Sequence, residues 1–256
     1  MSGQLTLLGV GASAGTPVVG CECSTCQSTN KKNYRTRCSS LLTLKNGKNI
    51  LIDTSPDLRL QSLREGLTSV DAVLFTHHHA DHCHGIDDLR AFCQINKKQI
   101  PLYGNQFSID ELNKKFQYAM TEPNGFWEVP ILKPNVINEP IELFGQNIKP
   151  IPVFHGKSLI NGYRMGNIAY LTDVSKIPDT SIEQLRNLDV LLLDCLRNEP
   201  HPTHLSVKES IEIALELKAK KTFLIHMTHD LEYDALSKIL PESIYVGYDG
   251  LKINVN

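Results

Sequence analysis

The 256-residue chain predicts an α/β sandwich. Short apolar runs alternate with amphipathic stretches in a βαβ rhythm, and Val70-Asp71-Ala72-Val73-Leu74-Phe75 is echoed by Leu188-Asp189-Val190-Leu191-Leu192-Leu193. The echo reads as two equivalent strands of a pseudo-symmetric sandwich, because it is no tandem array. A chain of this length can form one or two domains, but a two-layer sandwich can use all of it, so residues 1–256 are expected to form one domain.

In chain order, residues 5–8, 40–44 and 49–52 read as strands, the last two joined across Asn46-Gly47, a strong hairpin turn. Residues 57–65 follow Pro56 as a helix, and residues 86–95 form another after a histidine-rich stretch. Apolar runs at 148–154, 168–172 and 222–225 read as later strands. Residues 206–218 predict an amphipathic helix, with Ser206 as its cap and Glu209 three positions on. Residues 113–140 are the least regular stretch, with four prolines, Phe126 and the single tryptophan, Trp127. Such a stretch is either a lid or a surface excursion anchored by its aromatics.

Composition narrows the class without choosing a reaction. A net charge of −2 gives no basic balance for a nucleic-acid or membrane surface. No apolar run reaches the ~20 residues of a membrane span, and Met1-Ser2-Gly3-Gln4 lacks the charged start of a secretion signal. A cytoplasmic protein is expected. Its seven cysteines are odd in number, and three crowd into Cys21-Glu22-Cys23-Ser24-Thr25-Cys26, which suits thiolate ligation better than a disulfide framework. Gly9-Val10-Gly11 with Gly15 is no dinucleotide fingerprint: the sixth position is Ala14, and the chain runs on to Pro17 instead of a helix.

The chemistry concentrates in His77-His78-His79-Ala80-Asp81-His82, directly after an apolar run. Residues two apart in an extended segment point the same way, so His77 and His79 can grip one cation while Asp81 and His82, after a turn, reach a second. A histidine-rich surface tract would need neither the interposed Asp nor a strand to aim it. This HxHxDH pattern resembles the signature of the metallo-β-lactamase superfamily, which implies an αββα sandwich and hydrolysis of esters, amides or phosphodiesters. The resemblance also implies lone ligands at later strand ends, and His155, Asp173 and His226 each close an apolar run. It assigns His77, His79 and His155 to one metal and Asp81, His82 and His226 to the other, with Asp173 bridging. Asp53, after the 49–52 strand, matches the family's earlier acidic position, which holds the ligand loop. On turn preference alone it would be an ordinary turn residue.

Cys21, Cys23 and Cys26 offer three soft ligands, and tetrahedral zinc needs a fourth. His229, three residues after His226, is the candidate; buried reduced thiols or a redox pair are the other readings. With this cluster the chain closely resembles the PhnP-type phosphoribosyl cyclic phosphodiesterases, from about Leu5 to the C-terminus, including Tyr170-Leu171-Thr172-Asp173 and Val246-Gly247-Tyr248-Asp249-Gly250. The resemblance implies two divalent cations (zinc or manganese) at the active site, one structural zinc, and a small phosphodiester substrate. Phosphoribosyl 1,2-cyclic phosphate and a 2′,3′-cyclic nucleotide are the expected substrates. It also implies Asp81 and His204 as catalytic residues, His204 contacting phosphate and protonating the leaving oxygen; the plain reading of His204 is a capping or core histidine. A tRNA endonuclease of the ribonuclease Z type, another ester or thioester hydrolase, and a non-hydrolytic carrier akin to pyrroloquinoline-quinone biosynthesis proteins are the alternatives. Stable nucleic-acid or membrane association is not expected, and a homodimer is allowed. Cys38, Cys83, Cys93 and Cys195 read as ordinary buried residues, and His78, His84 and His201 as loop positions.

Overall fold

The structure, a computed structural model, describes residues 3–120 and 132–255. Among them the strands run β1 (Gly3–Gly9), β2 (Ser39–Leu44), β3 (Asn49–Ile52), β4 (Ala72–Leu74), β5 (Ile100–Gly104), β6 (Leu132–Val136) and β7 (Ile141–Leu143). They continue as β8 (Gln146–His155), β9 (Ser158–Met165), β10 (Ile168–Leu171), β11 (Val190–Asp194), β12 (Lys221–Ile225), β13 (Ile244–Val246) and β14 (Lys252–Val255). Two seven-stranded sheets result, ordered β14-β1-β2-β3-β4-β5-β6 and β7-β8-β9-β10-β11-β12-β13 when each is read from its antiparallel edge. Each sheet starts with three antiparallel pairings and ends with three parallel ones. The two orders therefore superpose strand on strand, and the echoed segments fall on the equivalent pair β4 and β11.

Side chains alternate across each strand and sort themselves between two apolar layers. Leu5, Leu7, Leu42, Ile50, Ile52 and Leu74 face the second sheet and share one apolar cluster with its Tyr163, Tyr170 and Leu192. From the same strands Leu8, Leu41, Leu51, Val73 and Phe75 face the opposite way, onto Leu58, Ile86, Leu89 and Phe92 of the outer helices. Helices thus cover one face of a sheet whose other face packs on its partner, as an αββα sandwich requires. The central parallel strands β4, β10 and β11 are buried on both faces, which is why their sequences read as unbroken apolar runs.

Local signals account for most boundaries. The predicted 206–218 helix spans Val207–Leu217 and closes a reciprocal capping box: Ser206 Oγ accepts from the Glu209 N–H, and the Ser206 N–H donates to Glu209 Oε2 at 2.8 Å. The 86–95 helix begins instead as a 3₁₀ turn, Ile86–Asp88, before the α-helix Leu89–Asn96. Gly85 explains this. Its N–H donates to the Thr54 carbonyl at 2.9 Å, and a Cβ there would lie 2.0 Å from the Ser55 carbonyl oxygen, so this close approach fixes the first turn. Of the irregular 113–140 stretch, residues 121–131, with Phe126 and Trp127, lie outside the described residues. The flanks form a short helix, Gln117–Met120, and strand β6. No helix among the described residues is long and apolar enough to cross a membrane.

Removing the capping box is expected to cost about 1 kcal/mol. A Ser206→Ala variant should lower the unfolding free energy by that amount, read as a lower urea midpoint at an unchanged denaturant slope; an unaltered midpoint would show that the box contributes nothing.

Candidate metal centre

The site lies where strands end. His155 is the last residue of β8 and Asp194 the last of β11; His77 follows β4, Asp173 follows β10, and His226 follows β12. Asp53, Asp173 and His226 all turn through left-handed backbone, at φ 59°, 58° and 60°. Non-glycine residues seldom adopt this conformation, which persists only where surrounding contacts hold it. The turn swings each side chain from its strand axis toward a common space between the loops.

All seven residues expected to hold the two cations are brought together, in two groups. The ligand atoms of His77, His79 and His155 lie within 4.8 Å of one another, and those of Asp81, His82, Asp173 and His226 do likewise. Asp173 faces both groups. Its Oδ2 is 3.8 Å from His77 Nε2, while Oδ1 is 3.1 Å from His82 Nε2 and 3.5 Å from His226 Nε2. Burial opposes ionisation of Asp173, but His226, His82 and His77 outweigh it and hold the carboxyl well below its usual range. His77 moves the other way for an imidazole: burial, reinforced by His82, pushes its pKa well down and leaves a neutral ring with a lone pair to offer.

Unpartnered nitrogens supply the test of fit. His77 Nε2, His82 Nε2 and His226 Nε2 are buried without a hydrogen-bond partner, although buried polar atoms nearly always have one. The opposite nitrogens of His77 and His82 are engaged, as is Nδ1 of His155, whereas His226 Nδ1 is also without a hydrogen-bond partner. His82 Nδ1 is 2.8 Å from Asp53 Oδ2, His155 Nδ1 donates to the Thr203 carbonyl at 2.9 Å, and His77 Nδ1 is 3.0 Å from Thr76 Oγ1. Such outer bonds fix ring orientation and turn the free nitrogen inward, as imidazole ligands to a cation require. Asp53 also accepts from Thr76 N–H and Thr76 Oγ1, each at 2.8 Å, so it ties the strand before His77 to the helix turn that carries His82.

His204 lies beside this space. Its ring stacks on His226 at 4.8 Å, its Nε2 is 3.8 Å from Asp173 Oδ2, and its Nδ1 is 3.3 Å from Asp194 Oδ1. Asp194 was not singled out from the sequence, yet it is fully buried and organises the wall. It accepts from the Asp173 N–H at 3.2 Å and the Leu205 N–H at 2.9 Å, and stands 3.5 Å from His226 Nδ1. Because protein donors already occupy both its oxygens, the set Asp173, Asp194, His204 and His226 reads as a hydrogen-bonded clamp and not a third cation site. A signal for it existed: it closes the echoed strand, as His226 closes β12. Of the other histidines, His201 packs 5.2 Å from His204, His78 meets the edge of Phe107, and His84 lies against Phe116.

A second cluster forms as the cysteine spacing suggested. Cys21, Cys23 and Cys26 Sγ lie 3.3, 3.4 and 3.4 Å from His229 Nδ1. One ring nitrogen cannot hydrogen-bond three thiols, whereas the S···N edge of a tetrahedral zinc site is about 3.5 Å from standard bond lengths. The Cys26 N–H, with its bond to the Cys23 sulfur, leads the influences that draw that thiol down to about 6, while burial pushes Cys26 up to about 11. Arg35, buried, donates to the Thr228 carbonyl at 2.9 Å, and Met227 pairs with Val10 and Ala12, so the strand end that presents His226 also presents His229. Cys38, Cys83, Cys93 and Cys195 are buried, as their isolation predicted.

Residues 48–227 match the beta-lactamase superfamily domain, and the chain belongs to the metallo-β-lactamase superfamily. A solved structure described as a new diphosphatase from the PhnP family is similar throughout: 43% identical, covering 99% of this chain and 98% of that one, with a TM-score of 0.92. Zinc-bound PqqB from Methylobacterium extorquens shares the fold at 19% identity and a TM-score of 0.79, covering 98% of this chain and 100% of that one. A protein of Porphyromonas gingivalis (strain ATCC BAA-308 / W83) named octanoyltransferase is 37% identical over 251 residues, 96% of this chain. The chain spans about half the length of that curated relative, 50%. Together these place the chain in the metallo-β-lactamase superfamily, similar along its length to a PhnP-family protein.

Two outcomes follow for metal content. Exhaustive chelation should lower the melting temperature and added zinc or manganese should restore it, because cations that bind only the folded chain stabilise it; a melting curve indifferent to metal would rule out occupied sites. Cys23→Ser should lose about one equivalent of zinc, since a four-ligand cluster missing one ligand no longer closes. Unchanged stoichiometry would leave the cysteines as plain thiols.

Proposed function

We propose that residues 1–256 form a single-domain dinuclear-metal phosphodiesterase for a small, cyclic phosphodiester, with phosphoribosyl 1,2-cyclic phosphate and 2′,3′-cyclic nucleotides as the leading substrates. His77, His79 and His155 would hold one cation, Asp81, His82 and His226 the other, with Asp173 between them; Cys21, Cys23, Cys26 and His229 would hold a structural zinc. The observation that carries the reading is the placement of His204, whose Nδ1 is held by Asp194 while Nε2 turns toward the carboxylate shared by both ligand groups. A proton donor thus stands beside the centre without belonging to either ligand group.

When bound, a pair of divalent cations lowers the pKa of water and neutralises charge on phosphoryl oxygens. The chain's own residues do the rest. Water oxygen joins phosphorus, the ester P–O bond breaks with its electron pair on the departing oxygen, and His204 gives that oxygen the proton it needs; the proton released from water returns the imidazole to its starting state. Asp194 holds Nδ1 and so directs Nε2 inward, as a carboxylate partner orients a catalytic imidazole. Asp173 and Asp53 keep the ligand loops apart at fixed spacing. The name of the similar PhnP-family diphosphatase supports a second reading, cleavage of a phosphoanhydride by the same parts. Acyl transfer through a thiol has less support: burial pushes Cys195 up to about 12 and also raises Cys38, so neither is a ready nucleophile.

His77→Ala, Asp81→Ala and Asp173→Ala should each abolish turnover in a folded protein, with Asp173→Ala the most severe; full activity with metal supplied would sink the dinuclear assignment. His204→Ala should keep its metal content yet lose roughly 10²- to 10⁴-fold in kcat on alkyl diesters, the worth of a positioned proton donor. On bis-p-nitrophenyl phosphate, whose phenolate leaves unaided, the loss should shrink. Equal losses on both would point to phosphate binding in place of proton donation.

A further inference from the structure

Of the buried ligand rings, His226 is the one least secured by its own atoms. Thr76, Asp53 and Thr203 engage Nδ1 of His77, His82 and His155, whereas neither nitrogen of His226 has a hydrogen-bond partner. Its flat faces stack on His204 at 4.8 Å and on His82 at 5.5 Å. Stacking leaves a ring free to turn in its own plane, and a bond to the outer nitrogen is what ordinarily fixes an imidazole ligand. The aim of His226 is therefore set by its backbone, which leaves β12 in a left-handed turn at φ 60°.

Two ties hold that backbone beyond the end of β12. In the first, the Met227 N–H donates to the Val10 carbonyl at 2.9 Å, and the Met227 carbonyl accepts from the Ala12 N–H at 3.0 Å. The second is the cysteine cluster, where His229 Nδ1 sits 3.3 Å from Cys21 Sγ and 3.4 Å from the other two sulfurs. Both ties lead to one stretch of chain, since the cysteine loop continues the strip that starts at Val10, and the Val18 N–H donates to Cys26 Sγ at 3.3 Å. Thr228, between the ties, donates its N–H to the Leu196 carbonyl and accepts from Arg35, each at 2.9 Å. No residue of the 226–229 segment is left slack, so His226 and His229 cannot shift separately.

We infer that the cysteine cluster is a positioning element of the catalytic centre: zinc on Cys21, Cys23, Cys26 and His229 fixes the aim of His226 and so tightens the cation held by Asp81, His82 and His226. The inference rests on the dinuclear reading and adds an asymmetry to it. His77 and His155 lean on Thr76 and Thr203, neither of which bonds to residues 226–229 among the described residues, so the cation of their group is indifferent to the cluster. Linkage makes the effect mutual, because a cation on the His226 group must tighten zinc on the cluster by the same factor.

The test is a calorimetric titration with manganese, a cation suited to carboxylate and imidazole but not to a thiolate cluster, into protein that carries zinc on the cluster alone. His229→Ala should weaken one of the two manganese equivalents by about tenfold or more, the usual worth of an outer support to a ligand, and leave the other unchanged. In a His79→Ala background, where the first group lacks a ligand, the equivalent that remains should show the whole defect. His229→Cys should restore the affinity, because Nδ1 of histidine and the sulfur of cysteine both place a bound zinc about 3.4 Å from Cβ by standard bond lengths. Should His229→Ala fail to fold, the unaltered chain gives the answer by linkage: saturating manganese should lower zinc loss to a zinc-selective chelator by the same factor. Two equivalents bound as tightly in His229→Ala as in the parent, or both weakened alike, would overturn the inference and leave the dinuclear reading intact, as would zinc loss indifferent to manganese. A parent chain that takes up no manganese at all overturns the dinuclear reading, and the inference with it.

Discussion

Asp53 ends β3 in a left-handed turn and accepts three hydrogen bonds, from the Thr76 N–H, the Thr76 hydroxyl and His82. A buried carboxylate is costly unless each oxygen is satisfied, so these donors and this acceptor constrain one another. Through Thr76 it sets the direction in which the chain leaves β4, and so where His77 and His79 point. Through His82 it sets the rotation of a ring on the next turn of chain. The ligand loop is therefore not a flexible string of histidines but a segment clamped at both ends on one fully buried group.

The repeated sheet supplies a second such corner. Asp53 follows β3 and Asp173 follows β10, equivalent strands of the two sheets, and both turn through φ near 60°. One aspartate sits behind a ring and the other between two groups of rings, so the pseudo-symmetry yields a holder and a shared ligand from the same backbone device. β11, the counterpart of β4, ends in Asp194, which does for His204 what Asp53 does for His82. Parallel strands all finish at the same edge of a sheet, and two facing sheets bring their finishing edges together. The centre is thus a property of the architecture before it is a property of any one loop.

Much of this was legible in the sequence because the informative residues are rare types at fixed spacings. Four assigned ligands in six residues, three cysteines in six, and lone histidines closing apolar runs are patterns that core packing does not produce by itself. The capping box of Ser206 and Glu209 and the Asn46-Gly47 hairpin were visible for the same reason: each needs particular side chains at particular separations. Asp194 escaped because a single aspartate after a strand looks like any turn residue, and its importance lies in which donors the fold delivers to it. The 3₁₀ start of the helix after the ligand loop escaped because it depends on how closely Gly85 approaches a carbonyl more than twenty residues earlier in the chain. Register between the sheets is likewise a matter of contact, not of spacing.

The four residues of the cysteine cluster also set an order of events. Cys21 and its imidazole partner are 208 residues apart, so on the ribosome the three thiols emerge long before His229 exists. Until then the loop has no fourth partner to close upon, and its free thiols stay open to oxidants and to stray metal. The same late segment brings His226. Maturation of both clusters therefore waits on one short stretch made long after the thiols, and the interval before it arrives is when these cysteines are most exposed to chemical damage.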